Sequence, residues 1–123
     1  MDSPVVVVVP CYNEQPERLE RSVASALAVP GVDLVRVVDD GSAIPTALEP
    51  RERLEVLCCP QNGGPSSALN TGIRSLPDDS IIVRLDVGDI FYPEPKARQI
   101  ELAKSGVPAV ASWHFVAIPD REH

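Results

Sequence analysis

Three apolar, strand-like runs of this sequence each end in a turn that carries acids. Val5 to Val9 leads into Pro10-Cys11-Tyr12-Asn13-Glu14, Leu34 to Val38 into Asp39-Asp40-Gly41-Ser42, and Ile81 to Leu85 into Asp86-Val87-Gly88-Asp89. In an open α/β sheet, ligands collect beyond the carboxyl ends of parallel strands, so three such turns converge on one crevice. Carboxylates gathered there suit a ribose, the edge of a nucleobase or a divalent cation.

Each turn has its own chemistry. Pro10 offers no ladder donor, so it is expected to end the first strand, turn the chain out of the sheet and leave the Tyr12 ring where it could lie beside a base. Asp39 and Asp40 fall where strand becomes loop, and Gly41 permits the tight backbone path that turns one of the two carboxylates into the crevice. Such a carboxylate can accept a hydrogen bond from an imide N–H or a ribose hydroxyl. A plain strand-ending turn and a solvated Asp-Gly turn are the bland readings of these short motifs.

The segments between the turns predict what positions them. The β-branched run Pro4 to Val9 is continuous, as in a parallel strand buried on both faces. Glu17 to Ala28 reads as a helix, with Leu19, Val23, Ala26 and Leu27 three or four apart and Glu17 and Glu20 in its first turns. Asp33 to Val38 and Leu54 to Cys58 read as strands, and Ala43 to Pro50 as a loop or short helix. After Pro60-Gln61-Asn62-Gly63-Gly64-Pro65, Ser66 is expected to cap a helix over Ser67 to Ser75. Ser80 to Leu85 is the fourth strand, Glu94 to Ser105 the next helix, and Pro108 to Phe115 the fifth strand. This alternation predicts one domain over residues 1–123: a three-layer α/β/α fold with a mostly parallel sheet and helices on both faces.

Bulk properties narrow the partners. The 123 residues have the length of one small domain, and 44% hydrophobic content with mean hydropathy near zero is ordinary for a globular chain. Eleven Lys and Arg against eighteen Asp and Glu give a net charge of -7. That balance argues against nucleic acid as a partner, because phosphate-backbone binding rests on clustered Lys and Arg. The valine run has no basic leader and is too short to span a bilayer, so the expected location is cytoplasmic, with no membrane span. Cys11, Cys58 and Cys59 form no disulfide framework or zinc spacing and read as small hydrophobes at strand ends. His114 and His123 have no ligand pair nearby. A phosphoacceptor receiver domain has a similar length, but its acidic pair follows the first strand and a Lys-Pro pair follows the fifth, a pattern absent here.

The four motifs Val8-Val9-Pro10-Cys11-Tyr12-Asn13-Glu14, Val38-Asp39-Asp40-Gly41-Ser42, Asn62-Gly63-Gly64-Pro65 through Ala68-Leu69-Asn70-Thr71-Gly72-Ile73, and Arg84-Leu85-Asp86-Val87-Gly88-Asp89 cover nearly the whole chain. In order and spacing the chain resembles the nucleotide-binding half of family 2 glycosyltransferases of the GT-A fold, nucleotide-diphospho-sugar transferases. The resemblance implies a nucleotide site formed by Pro10, Tyr12, Glu14, Asp39, Asp40, Asn70 and Asp86, with a nucleotide sugar, a UDP-sugar by preference, as ligand. Many relatives carry an arginine where Leu69 stands. The last motif is DXD-like: relatives read Asp-x-Asp, the first acid meeting the ribose and the second holding the Mg²⁺ or Mn²⁺ that bridges the diphosphate. Here Gly88 takes the second place, so the metal ligands implied are Asp86 and Asp89.

Hexosyl transfer to an acceptor hydroxyl also needs a general base, which relatives supply from a later, acceptor-binding segment. None is identifiable here, since Asp120 and Glu122 lie in a polar tail. The expectation is therefore a nucleotide-sugar-binding domain lacking the usual acceptor-binding half: either a fragment or short natural variant that binds a nucleotide sugar without turning it over, or a domain whose acceptor half comes from a second chain or a homo-oligomer. The alternative is a degenerate, non-catalytic module of the same fold kept for binding or oligomerisation.

Overall fold

The structure is a computed structural model that describes residues 3–105 and the backbone of residues 115–117. In chain order its elements are β1 (Val5–Cys11), α1 (Pro16–Leu27), β2 (Leu34–Asp39), β3 (Leu54–Cys58), α2 (Pro65–Ile73), β4 (Ile81–Arg84), α3 (Pro93–Lys104) and β5 (Phe115–Ala117). The strands form one sheet in the order β3-β2-β1-β4-β5. The first four are mutually parallel, whereas β5 pairs antiparallel with β4.

The valine run is buried on both faces because it builds two cores. Val5, Val7 and Val9 pack with Leu19, Val23 and Ala26 of α1 and Ile100 of α3. Val6 and Val8 point the other way, onto Ala68 of α2 together with Val38, Leu76 and Ile82. This alternation along one continuous apolar strand makes the three-layer α/β/α architecture. Helix α2 comes closest to the sheet at Gly72, where an added Cβ would stand 2.7 Å from Val8 Cγ1 and 2.9 Å from Val38 Cγ2. Gly72→Ala is therefore expected to lower the unfolding free energy by about 1–3 kcal/mol, the usual range for an overpacked interface, read as a lower urea midpoint.

The elements depart from expectation in instructive places. All three helices begin one or two residues early, at Pro16, Pro65 and Pro93. Proline suits the first helical position because its missing N–H has no partner there anyway and its φ is already helical. Ser66 accordingly lies inside α2, and Gly64 at φ 95° is the N-cap, without a side-chain cap. Pro10 does not end β1: the strand runs on through Pro10 and Cys11, paired with Val38 and Asp39 of β2. Pairing with β4 has stopped at Val8 and Arg84, so the proline lies on a locally open edge that demands no donor. Of the expected fifth strand, Pro108 to His114 lies outside the described residues, and β5 begins at Phe115.

Candidate functional site

β1 lies between β2 and β4, and α1 covers one face of the sheet while α2 covers the other, so the chain reverses its winding beside β1. A cavity of about 340 Å³ opens at the carboxyl end of this switch point, the size and place at which α/β folds bind small ligands. Pro10, Cys11, Tyr12 and Glu14 line it from the end of β1, and Asp40 from the turn after β2. Asn62, Gly64, Pro65 and Ala68 contribute the start of α2, while Arg84, Asp86 and Val87 come from the end of β4. The three acidic turns thus meet in one crevice.

Hydrogen bonds fix the turns to one another. The Asn13 N–H donates to Ser42 Oγ at 2.8 Å, and the Ala43 N–H donates to Asn13 Oδ1 at 2.9 Å, joining the first two turns. Asn13 holds φ 52°, a left-handed conformation that asparagine tolerates better than most residues. The third turn is bound to α1: the Gly88 N–H donates to Ser22 Oγ, and that hydroxyl donates to the Asp89 carbonyl at 2.7 Å. The Phe91 N–H donates to Ser25 Oγ at 3.0 Å.

The two adjacent acids after β2 have separate tasks. Asp39, 1% exposed, accepts from the N–H groups of Ser42 and Thr46 at 2.9 and 2.7 Å and does not reach the cavity. Burial pushes its pKa up, but the hydrogen bonds from Ser42 and Thr46 outweigh this and hold it below the usual carboxylate value. A folded-state pKa below the unfolded one stabilises the protein above the unfolded value near pH 4, and this contribution is lost as pH falls through the folded pKa. Asp39→Asn is expected to flatten the acid side of a thermal-stability profile below about pH 5, with little change in slope above pH 6.

Asp40, 4% exposed, faces the cavity wall. Its Oδ1 accepts from the Gly63 N–H at 3.0 Å, and its Oδ2 accepts from the Gly64 N–H and Asn62 Nδ2, both at 2.8 Å. The carboxylate therefore holds the glycine loop and stands at the positive N-terminal end of α2, where a negative charge is favoured. It positions the wall, with its main acceptor directions already used.

Of the residues expected at the site, Pro10, Tyr12, Glu14, Asp40 and Asp86 meet around the cavity, whereas Asp39, Asn70 and Asp89 are not among its lining residues. Asn70 is exposed on α2 two residues after the cavity-lining Ala68, about 200° further round the helix. Asp89 is exposed, and its N–H closes the turn onto the Asp86 carbonyl at 3.0 Å. Arg84 was not expected: its Nε donates to Asp86 Oδ1 at 2.9 Å. That pair is partly exposed, 34% and 54% for the two side chains, so it contributes about 0–1 kcal/mol and leaves both groups available to a ligand.

The donor set for a divalent cation is not assembled here. Asp86 is ion-paired, Gly88 has no side chain, and Asp89 is off the wall. Among the described residues no three His, Cys, Asp or Glu side chains gather as metal ligands.

Cys11 lines the cavity, but burial, only partly offset by its contact with Thr46, pushes its pKa up to about 11. The thiol is thus protonated at neutral pH and unreactive. With iodoacetamide at pH 8 under native conditions, exposed Cys58 is expected to be labelled and Cys11 spared, as peptide mass mapping would show.

This geometry, three strand-end turns enclosing a cavity at the switch point of a mostly parallel sheet, defines a GT-A-type domain. The family profile for glycosyl transferase family 2 matches residues 6–122, and the chain belongs to that family. It is 40% identical over 99 residues to the succinoglycan biosynthesis protein ExoW of Rhizobium meliloti (strain 1021), covering 73% of this chain and 31% of that protein. With ExoU of the same organism, also a succinoglycan biosynthesis protein, identity is 35% over 95 residues, covering 72% and 27%. The chain thus spans about a third of the length of these relatives. Among solved structures, S. aureus TarS 1-349 superposes with a TM-score of 0.62 at 23% identity over 80% of this chain and 32% of that one. TarS 1-349 in complex with UDP superposes with a TM-score of 0.64 at 20% identity over 83% and 32%. The fold is therefore shared with these proteins. No helix among the described residues is long and apolar enough to cross a membrane.

Proposed function

We propose that this domain binds a nucleoside diphosphate sugar, a UDP-sugar by preference, in the switch-point cavity as donor for hexosyl transfer to an acceptor hydroxyl. The observation that carries the reading is the meeting of Tyr12, Asp86 and the Asp40-held glycine loop around one ligand-sized cavity. The UDP complex of TarS, a protein of the same fold, supports it. In this reading the half-exposed Tyr12 ring lies beside the base, and Asp86 accepts a hydrogen bond from a ribose hydroxyl. Asp40 acts indirectly, by holding the Gly63-Gly64 loop, of which Gly64 lines the cavity.

The general base and acceptor site are proposed to lie outside the three strand-end turns, in this polypeptide or in a second chain. The three acids that line the cavity are those of the nucleotide site. Calorimetric titration with UDP, GDP and their sugars is expected to show binding that Asp86→Ala weakens by at least about tenfold. Absence of binding by every nucleotide would reject the reading in favour of a non-catalytic module. Light scattering and a glycan-binding assay would then be expected to reveal a partner.

A further inference from the structure

Gly88 stands where the family motif carries its second acid, and a guanidinium group lies against it. An ideal Cβ built on Gly88, whose φ is +100°, would collide with the Arg18 guanidinium. Arg18 projects from α1, and its Nη1 stands 3.6 Å from Oε1 of Glu14, a cavity-lining acid. At the other end of the same turn, Arg84 lines the cavity and pairs with Asp86. The turn that would hold a divalent cation is thus flanked by two guanidinium groups, Arg84 on the cavity wall and Arg18 just outside it, against Gly88 and the cavity-lining Glu14.

We infer that Arg84 and Arg18, rather than Mg²⁺ or Mn²⁺ held by Asp86 and Asp89, meet the charge of the diphosphate. The inference rests on the nucleotide reading above. A guanidinium presents a planar fork of donors that binds phosphate oxygens in pairs and keeps its charge at every accessible pH. The present partners of both arginines are carboxylates in partly exposed pairs, which contribute little, so exchanging a carboxylate for a doubly charged diphosphate is favourable. That exchange releases Asp86 to accept from the ribose. A divalent cation placed at the same turn would be repelled by both guanidinium groups.

The test is calorimetric titration of EDTA-treated protein with UDP and with uridine, followed by the same titrations in Mn²⁺. UDP is expected to bind at least about 30-fold more tightly than uridine in EDTA, with Mn²⁺ changing the UDP affinity by less than about threefold. Arg18→Met and Arg84→Met are each expected to weaken UDP by about tenfold without weakening uridine, and Arg84→Met, by freeing Asp86, is expected to tighten uridine slightly, an outcome a merely structural role would not produce. Both side chains are partly exposed, so the variants should keep the wild-type far-ultraviolet circular dichroism. If UDP binds no better than uridine in EDTA and Mn²⁺ restores the difference, the inference is overturned and the nucleotide reading stands. If neither compound binds in either condition, both fall.

Discussion

Gly41→Ala is expected to destabilise the domain by about 2–5 kcal/mol and to abolish the shape of the cavity wall. Two effects add. Gly41 holds φ +78°, where an L side chain costs roughly 1–2 kcal/mol. Its new Cβ would also stand 2.5 Å from both Asn62 N and Gln61 C. These are backbone atoms, so no rotamer change relieves the contact, and the whole Gln61-Asn62 segment must shift. Gly64→Ala is the control: φ is +95° there, but nothing lies within 4 Å of the added Cβ. Its cost should be confined to backbone strain, about 1–2 kcal/mol. Urea denaturation of both variants separates strain from collision. Equal midpoints would show that the close approach of the two turns does not constrain the fold.

Asp40→Ala is expected to cost about 2–4 kcal/mol, because hydrogen bonds to a charged acceptor contribute roughly 1.5–3 kcal/mol each and three are lost. The sum stays well below the simple total, since Asn62 and Gly63 are exposed and their freed N–H groups can bind water. The consequence for the site is larger than for the fold. Without the carboxylate, the Asn62-Gly63-Gly64 loop is no longer tied to the β2 turn, and the N-terminus of α2 loses its only charged partner among the contacts described. Asp40→Asn keeps an acceptor but brings an NH₂ group toward donors, so it should fall between alanine and wild type. Thermal denaturation with and without UDP tests both parts: the ligand-induced rise in melting temperature should shrink for Asp40→Asn and vanish for Asp40→Ala.

The parallel sheet was legible because its central strand has to satisfy two cores. Val5 to Val9 alternates between α1 and α2, and only burial on both faces tolerates so uniform an apolar run. The helix starts were less legible, since Pro16, Pro65 and Pro93 read as punctuation when they are first helical residues. Pro10 misled for a related reason: a proline reads as a stop, but the pairing of β1 beyond Val8 involves β2 alone.

At the site, three acidic turns on one crevice could be anticipated from strand-end position. The division of labour between Asp39 and Asp40 could not. It depends on which backbone N–H groups face each carboxylate, Ser42 and Thr46 for one and Gly63 and Gly64 for the other, and the latter come from a segment more than twenty residues away. Arg18 and Arg84, the latter within the fourth motif, carry no signal of a binding role in the sequence, because an arginine on a helix or strand end is ordinary surface chemistry. Their meaning comes from the turn between Asp86 and Gly88 that they flank.

The central claim is that the cavity at the β1/β4 switch point is a nucleotide site. A crystal of the protein soaked with UDP tests it most directly. The account predicts nucleotide density inside the cavity, with the uracil beside Tyr12, a ribose hydroxyl within hydrogen-bond distance of Asp86 and the diphosphate toward Arg84. An unchanged, empty cavity at saturating UDP, or a nucleotide bound elsewhere on the chain, would contradict it.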